Sequence, residues 1–372
     1  MTMTQPDAPA VVFDWPIGQP TGWGQYGLHL ALAMHATGCA TPVLEHAPIV
    51  DGHSEAIVAL LRSFPRTVTN RAGMVRAVSL GRQVRPAQTP EDVALLVFED
   101  TRWDAASLDM LRTYRRVIVG SEWNRAILAA WGFHKAVVGL QGYDGAVFRP
   151  KPRVRPASDG RILVFSGGKL EFRKGQDIVL EAFKRFRKTH PTAVLVTNWW
   201  NAWPTTTRGM STMGYVSEYT PDQTLTAWAT ANGVGSGAFL DCGVVRPSHV
   251  ADVMRECDAA IFPNRAEGAI NMVACETIGC GIPTAVSDAT GHRDLLVELG
   301  PCAMREGRMV AVPAGAVPGY RGMTGWRETD PDDVVEALEF LLDRPRTDTV
   351  PPPSEWLTWH ERAPVLTRLL RS

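Results

Sequence analysis

The sequence predicts an α/β protein made of two doubly wound halves. Short apolar, β-branched runs alternate with helix-patterned segments along nearly the whole chain. Strands apolar on both faces suit parallel sheets covered by helices. The alternation breaks once, at "DGAVFRPKPRVRPASDG" (144–160), a proline-rich, basic stretch that reads as a connector. A length of 372 residues accommodates two domains.

The first half opens with the strand "VVFDW" at Val11, followed by a helix pattern from about Trp23 to His35. "TPVLEH", "ALLVFED", "RVIVGS" and "AVVGLQG" supply further strands. After the connector come the strand "RILVFSG", a helix from Gly175 to about Lys188, the strand "AVLVTN" and a helix near 222–232. The strand "GAFLDCG" and a helix from Ser248 to Cys257 follow, then the apolar run Ala259 to Phe262 and a helix starting near Ala269. Near the end, Asp330 is placed to cap a helix with Pro331 at its first position, and "SEWLTWHERAPVLTRLLRS" is a final helix. The expected division is 1–150, 151–345 and a terminal segment at 346–372.

Composition excludes more than it proposes. The chain is 45% apolar and 21% charged with a formal net charge of −1, so nothing draws it globally to nucleic acid. Its six cysteines have neither C-x-x-C pairing nor zinc spacing and read as buried thiols in a reducing compartment. No signal peptide or bilayer-spanning stretch is apparent, which gives a cytoplasmic expectation. Between Ala56 and Pro90 lie six arginines (Arg62, Arg66, Arg71, Arg76, Arg82, Arg85) and no lysine or acidic residue. They suggest a peripheral docking face for an anionic acceptor or the inner membrane surface, the alternative being a solvated basic face.

In open α/β sheets ligands sit outside the carboxyl ends of strands, at helix N-termini. After "RILVFSG" the sequence places Gly167 and Gly168, then Lys169, Arg173 and Lys174 just before a helix. Backbone donors, a helix N-terminus and cations together make an anion site; the alternative is a solvated turn. After "VVFDW", the glycines of "PIGQPTGWGQYG", including Gly22 and Gly24, resemble a dinucleotide fingerprint only superficially, because the loop is too long and Glu45 is the nearest acidic partner. They read as a flexible lid against a phosphate, or as a plain loop. In "FPNRAEGAINMVACETIGCGIPTAVSD", Glu267 ends a strand and Glu276 lies two turns along the next helix; both suit sugar or ribose hydroxyls, or are surface glutamates. Tryptophans in "NWWNAWP" could stack on a sugar or pack in a loop.

"FSGGKLEFRKGQDIVLEAFKRF", "GSEWNRAILAAWGF" with "VVGLQGYDGAVFRP", and "FPNRAEGAINMVACETIGCGIPTAVSDATGHRDLL" together resemble the retaining glycosyltransferases of family 4, in the family's order. The resemblance implies a GT-B fold: two Rossmann-like domains facing a central cleft, the last helix crossing back to the first domain. It implies transfer of a hexose from a UDP- or GDP-sugar to a glycan or lipid-linked acceptor with retention and without a metal, the nucleotide-sugar being a substrate rather than a cofactor. Lys169 and Lys174 would hold the diphosphate, with Arg173 and Gly168 beside them. Glu276 would take the ribose and Glu267 the donor sugar. Gly268, Ala269, Ile270 and Asn271 would offer backbone to the sugar or phosphate, Cys242 and Val244 would line the base, and Gly22 and Gly24 would approach from the first domain. Two departures stand out. The glutamates are one residue further apart than the family's E-x7-E pattern, and Lys169 replaces an arginine. No nucleophile is evident. The leaving diphosphate of the family's proposed chemistry would take that part, which leaves Glu99, Asp100 and Thr101 as acceptor-pocket candidates, with helix capping as their alternative. The resemblance also implies an assisting histidine on the first domain, for which His29, His46 and His53 are all possible, with structural roles as their alternative. A sugar phosphorylase, a nucleotide-sugar epimerase or a non-catalytic nucleotide-sugar-binding protein are the rival readings.

Overall fold

The computed structural model describes residues 8–343 and 357–372, apart from 20, 69–72, 82, 157–158, 202, 300–301, 306, 311–316 and 318. Along the chain come β1 (Ala10–Phe13), α1 (Gly22–Thr37), β2 (Thr41–Leu44), α2 (Glu55–Ser63), β3 (Val75–Leu80), β4 (Asp92–Leu96), α3 (Ala105–Arg112), β5 (Arg116–Val119), α4 (Glu122–Ala130) and β6 (Ala136–Val138). Then follow β7 (Ile162–Gly167), α5 (Gln176–Phe186), β8 (Ala193–Asn198), α6 (Leu225–Ala231), β9 (Phe239–Asp241), α7 (Pro247–Glu256), β10 (Ala259–Phe262), α8 (Met272–Gly279), β11 (Thr284–Val286), α9 (His292–Leu299) and β12 (Cys302–Ala303). A small hairpin of β13 (Arg308–Met309) and β14 (Arg327–Glu328) precedes α10 (Pro331–Leu342) and α11 (Trp359–Arg371).

The chain divides into two compact units. One comprises Met1–Phe98, Trp103–Asp144 and Glu355–Ser372; the other comprises Glu99–Arg102 and Gly145–Ser354. The boundary expected at 345/346 lies outside the described residues. Each unit is a Rossmann-like layer structure around a parallel sheet.

In the first unit the strand order is β2-β1-β3-β4-β5-β6. Short polar caps set several helix starts: Thr21 accepts from Gly24 N, Asp104 from Ser107 N and Ser121 from Asn124 N. The capping role open to Glu99 and Asp100 therefore falls to Asp104. Helix α11 packs in this unit, with Leu366 and Leu370 buried, the Trp359 ring edge-on to Tyr26 at 5.1 Å and Arg362 Nε donating to Leu140 O at 3.0 Å.

The sequence pattern does not show strand β3, which removes Arg76 from the arginine-rich face. Arg76 lies within β3 and is buried, because carboxylates from three other segments surround it: Asp14 at 2.8 Å, Glu45 at 2.9 Å and Asp92 at 3.0 Å. Arg85 also pairs with Asp14. Asp14, Glu45 and His46 bring metal-ligand-type atoms within 4.8 Å of one another, but arginine cations already engage the two carboxylates. Arg71 and Arg82 lie outside the described residues, so Arg62 and Arg66 are the exposed arginines that remain. The charges of Arg76 and Arg85 are compensated by carboxylates in or directly after β1, β2 and β4.

The second unit carries the order β12-β11-β10-β7-β8-β9. The chain moves outward from β7 through β8 to β9, then returns to the other side of β7 as β10. The switch point therefore falls between β7 and β10, which pair through Val164–Ala259 and Phe165–Ala260. Behind it lies a core that includes Ile178, Phe183, Leu195, Trp199, Trp228, Ile261 and Leu338. The connector is pinned to this unit, with Arg153 and Arg155 pairing with Asp258 at 2.7 and 2.9 Å. Among the described residues no helix is long and apolar enough to cross a membrane.

Candidate active site

A crevice for ligand is expected outside the carboxyl ends of the strands that flank a switch point. In the second unit the loops there follow β7 and β10. The β7 loop begins at Gly168, whose φ of 107° is a conformation L side chains rarely adopt. It runs through a 3-10 turn at Phe172–Lys174 to Gly175. A Cβ on Gly175 would stand 2.3 Å from Pro263 O at the end of β10, so the two loops press directly together. Arg173 O fastens them by accepting from Arg265 N at 2.7 Å. Beneath, the fully buried Arg265 grips Asp177 with two bonds at 2.7 and 2.8 Å and lies over the Phe172 ring.

Above this floor sits a buried ion cluster. Glu267 accepts from Lys174 Nζ, from Asn264 Nδ2 and, at 3.1 Å, from Arg173 Nη1. Arg173 also pairs with Glu171 at 2.8 Å and with Glu99 at 3.5 Å, and Lys169 pairs with Glu171 at 2.8 Å. Burial alone would push the Glu267 carboxyl up, but Lys174 and Arg173 outweigh it and hold it at about 2. Arg173 is raised well above its ordinary value: burial opposes the charge, and Glu99, Glu171 and Glu267 overcome it. Lys169 is different in kind. It is 36% exposed, and its ammonium lies 4.9 Å from the centre of the half-exposed Trp203 ring.

The β10 loop is clasped from its far side by the loop after β11. Glu267 N donates to Thr290 Oγ1 at 2.8 Å, and Gly291 N donates to Glu267 O at 3.0 Å. The non-glycine residues with positive φ among those described are Asn271, at 60°, and Thr290, at 50°, and both belong to this clasp. Such conformations persist where the surroundings over-determine them, which is common at ligand sites. Two helices open onto the loops, α5 after Gly175 and α8 after Asn271, and neither has a side-chain cap. Uncapped first-turn amides and one partly exposed cation together fit an anionic ligand.

A family model described as "Family 4 Glycosyltransferase in conflict systems" matches residues 115–349. The chain belongs to this family of glycosyltransferases. No match was found among curated proteins. Solved structures share the fold. A sucrose-phosphate synthase from Thermosynechococcus elongatus has a TM-score of 0.57 at 14% identity, over 98% of this chain and 95% of that one. Anabaena HepE in complex with UDP has 0.53 at 15%, over 98% and 96%. An E. coli structure titled trehalose-6-phosphate, bound with UDP-2-fluoro glucose, has 0.59 at 13%, over 98% and 99%.

In this glycosyltransferase the residues anticipated from the sequence fall into three groups. Gly168, Lys169, Arg173, Lys174, Glu267, Gly268, Ala269, Ile270 and Asn271 lie on the two switch-point loops, with Glu276 half-buried in α8 behind them. Their contacts revise the expectation in two ways. Arg173, Lys174 and Glu267 are buried against one another, so Glu267 spends both oxygens on its neighbours instead of presenting them to hydroxyls. Helix α8 begins at Met272 rather than near Ala269, since Asn271 at positive φ breaks the helical path. Glu276 stands in the second turn of the helix.

Cys242 and Val244 follow β9, in a loop that Asn198 Nδ2 holds through Gly243 O at 2.6 Å; Cys242 is half-buried and Val244 exposed. Gly22 and Gly24 belong to the first unit. Their loop is laced internally, with Gly18 N donating to Gly24 O and Gln25 Nε2 to Gln19 O, both at 2.9 Å. Asp100 and Thr101 are buried and engaged by the 321–324 loop: Gly322 N donates to Asp100 at 2.9 Å and Thr324 N to Thr101 Oγ1 at 2.9 Å. They hold a loop of the second unit, while neighbouring Glu99 joins the ion cluster. In "NWWNAWP" Trp199 is core, and Trp200 and Trp203 are exposed. Of the three histidines considered for catalysis, His29 lies 3.8 Å from Asp144, His46 bonds Asp14 at 2.9 Å and His53 bonds Gly18 O at 3.0 Å.

Sequence reasoning missed Glu171, Asn264, Thr290 and His292, which bond the anticipated loop residues, and Ser287, which bonds Asn264 and His292. The signal for His292 was its position in "SDATGHRD", directly after a strand and at the start of a helix.

Proposed function

We propose that the chain is a retaining glycosyltransferase that moves a hexose from a nucleoside diphosphate sugar, a UDP-sugar before a GDP-sugar, to a glycan or lipid-linked acceptor. The observation that carries this is the meeting of the β7 and β10 loops at the second unit's switch point, with Lys169, Arg173 and Lys174 beside two uncapped helix starts. The preference for UDP rests on the UDP and UDP-sugar in the structures of similar fold.

In this reading the first-turn amides of α8 take up the diphosphate, and Lys169 swings from Glu171 to meet it. Lys174, held by Glu267, stabilises the charge that grows on the diphosphate as the glycosidic bond breaks. Glu276 takes the ribose hydroxyls. The departing phosphate oxygen accepts the acceptor's proton on the same face, which retains configuration without a protein nucleophile. The lysines supply the positive charge that a metal would otherwise bring.

A thermal-shift screen over UDP, GDP, ADP and their sugars tests the donor. A bound nucleotide at about a hundredfold its Kd stabilises by about 2.7 kcal/mol. If none raises the melting temperature, the proposal falls. Product analysis then separates transfer from phosphorolysis and epimerisation. A second reading, a nucleotide-sugar-binding protein without turnover, draws on the commitment of Glu267 to Lys174 and Arg173; donor binding with no transfer or hydrolysis would favour it.

A further inference from the structure

We propose that His292 is a positioning residue that keeps the start of α8 open, by holding the side chain of Asn271 away from it. The inference rests on the donor-site reading above. Asparagine is among the strongest N-cap residues, its side chain accepting from the first-turn amides with an extended backbone. Thr21, Ser121, Thr224 and Thr358 behave in that way in this chain. Asn271 occupies the same position on α8 and does not. Its backbone is at φ 60° and ψ 90°, and its side chain makes no capping bond. Instead its Nδ2 lies 3.0 Å from His292 Nε2.

The direction of that bond follows from its neighbours. Ser287 Oγ lies 2.6 Å from the carbonyl oxygen of Asn264, so the serine hydroxyl must donate there. His292 Nδ1, 3.0 Å from the same Oγ, must then carry the imidazole proton and donate to it. Nε2 is left as a bare acceptor, and the Asn271 amide donates to it. Asn264 closes the chain by donating its own side-chain amide to Glu267. One run of hydrogen bonds thus links Glu267 at one end of the β10 loop to Asn271 at the other. Every side chain in it is buried. Burial lowers His292 to about 4; Glu267 opposes this, and Lys174 and Arg173 add to it, so the imidazole stays neutral at physiological pH.

The functional consequence concerns the amides that begin α8. They lack intrahelical partners by construction. A capping asparagine would occupy them and compete with a diphosphate; an asparagine tied to His292 leaves them to the ligand.

The test is titration calorimetry with UDP, and with GDP and ADP, on the wild type, His292→Leu, His292→Gln, Asn271→Gly and the double variant Asn271→Gly/His292→Leu. Freed from the imidazole, Asn271 should cap the helix, so His292→Leu should weaken nucleotide binding about tenfold. His292→Gln, which restores an acceptor, should recover most of that loss. Glycine has no side chain to cap with and adopts positive φ freely, so in the Asn271→Gly background the leucine change should cost less than about twofold. Equal losses in both backgrounds, or no loss in either, would overturn the proposal. If the wild type binds none of the three nucleotides, the donor reading fails instead. Nitrogen NMR of labelled histidine then decides the positioning itself: a protonated Nδ1 and bare Nε2 on His292 support it, and a protonated Nε2 overturns it.

Discussion

Replacing Glu267 by glutamine removes one charge and almost no volume. In the native cluster Glu267 accepts from Lys174, Asn264 and Arg173. Breaking a buried ion pair by removing one partner typically costs about 3–5 kcal/mol. Arg173 keeps Glu171 at 2.8 Å and Glu99 at 3.5 Å, and the glutamine keeps one oxygen, so the cost belongs at the low end of that range. The carboxyl's depression expresses the same contacts. Held at about 2 against an ordinary 4.5, the group contributes about 3 kcal/mol to folding. For a unit of this size, about 3 kcal/mol lowers the melting temperature by roughly 6–12 °C.

Scanning calorimetry at a series of pH values is the assay, because the sign of the linkage adds a second constraint. A carboxylate with a depressed folded-state pKa contributes fully above its unfolded value. That contribution is lost as pH falls through the folded one. The gap between wild type and Glu267→Gln should therefore be full at pH 7 and close between about pH 4.5 and pH 2. A gap under about 1 °C at pH 7, or one that persists on acidification, would refute the reasoning.

Further outcomes are expected. His292, lowered from 6.5 to about 4, binds fewer protons folded than unfolded, so stability should fall as pH drops from 6.5 to 4, by up to about 3 kcal/mol; calorimetry should find that limb missing in His292→Gln. Arg76→Met should destabilise the first unit by about 3 kcal/mol, because it leaves the buried Asp92 without its cation while Asp14 keeps Arg85, and Arg76→Lys should recover little of it; a melt within 1 kcal/mol of wild type would contradict the buried network. Lys169→Ala should leave the melting temperature nearly unchanged, since Glu171 retains Arg173, yet weaken UDP binding about tenfold; equal UDP affinity would remove Lys169 from the donor site.

The two-sheet architecture was legible because strands buried on both faces leave continuous apolar runs, and "RILVFSG" or "AVLVTN" can hardly be read otherwise. Strand β3 was hidden by Arg76, which scores as a surface residue until its three carboxylate partners arrive from distant segments. The same limit applied at the site. "GGKLEFRKG" announced its cations, and the strand-end position of Glu267 announced an acid, but nothing local to either stretch said that they would bond to each other. That pairing follows from strand order, which brings β10 beside β7. Asn271 illustrates the finest grain: its residue type called for a cap, and only the tertiary contact with His292 overrode it.

The charge of the cluster bears on how the site would work. Lys169, Arg173 and Lys174 face Glu99, Glu171 and Glu267, three cations against three carboxylates. A bare set of buried cations would attract anions without discrimination and would be costly to desolvate. Pairing removes that cost but also removes most of the net attraction for a diphosphate. Discrimination must then come from groups with fixed direction: the amides at the start of α8 and the backbone around Gly168. On this view the carboxylates serve to hold the cations in place ahead of the donor, as preorganised electrostatic stabilisation requires. Buried ion pairs rarely add stability over an apolar isostere of equal volume. Replacing Lys174 and Glu267 together by methionine and leucine should therefore cost the fold about 1–3 kcal/mol, that of the stranded Asn264 amide, while abolishing transfer. A double variant that still transferred sugar would place the charge stabilisation elsewhere.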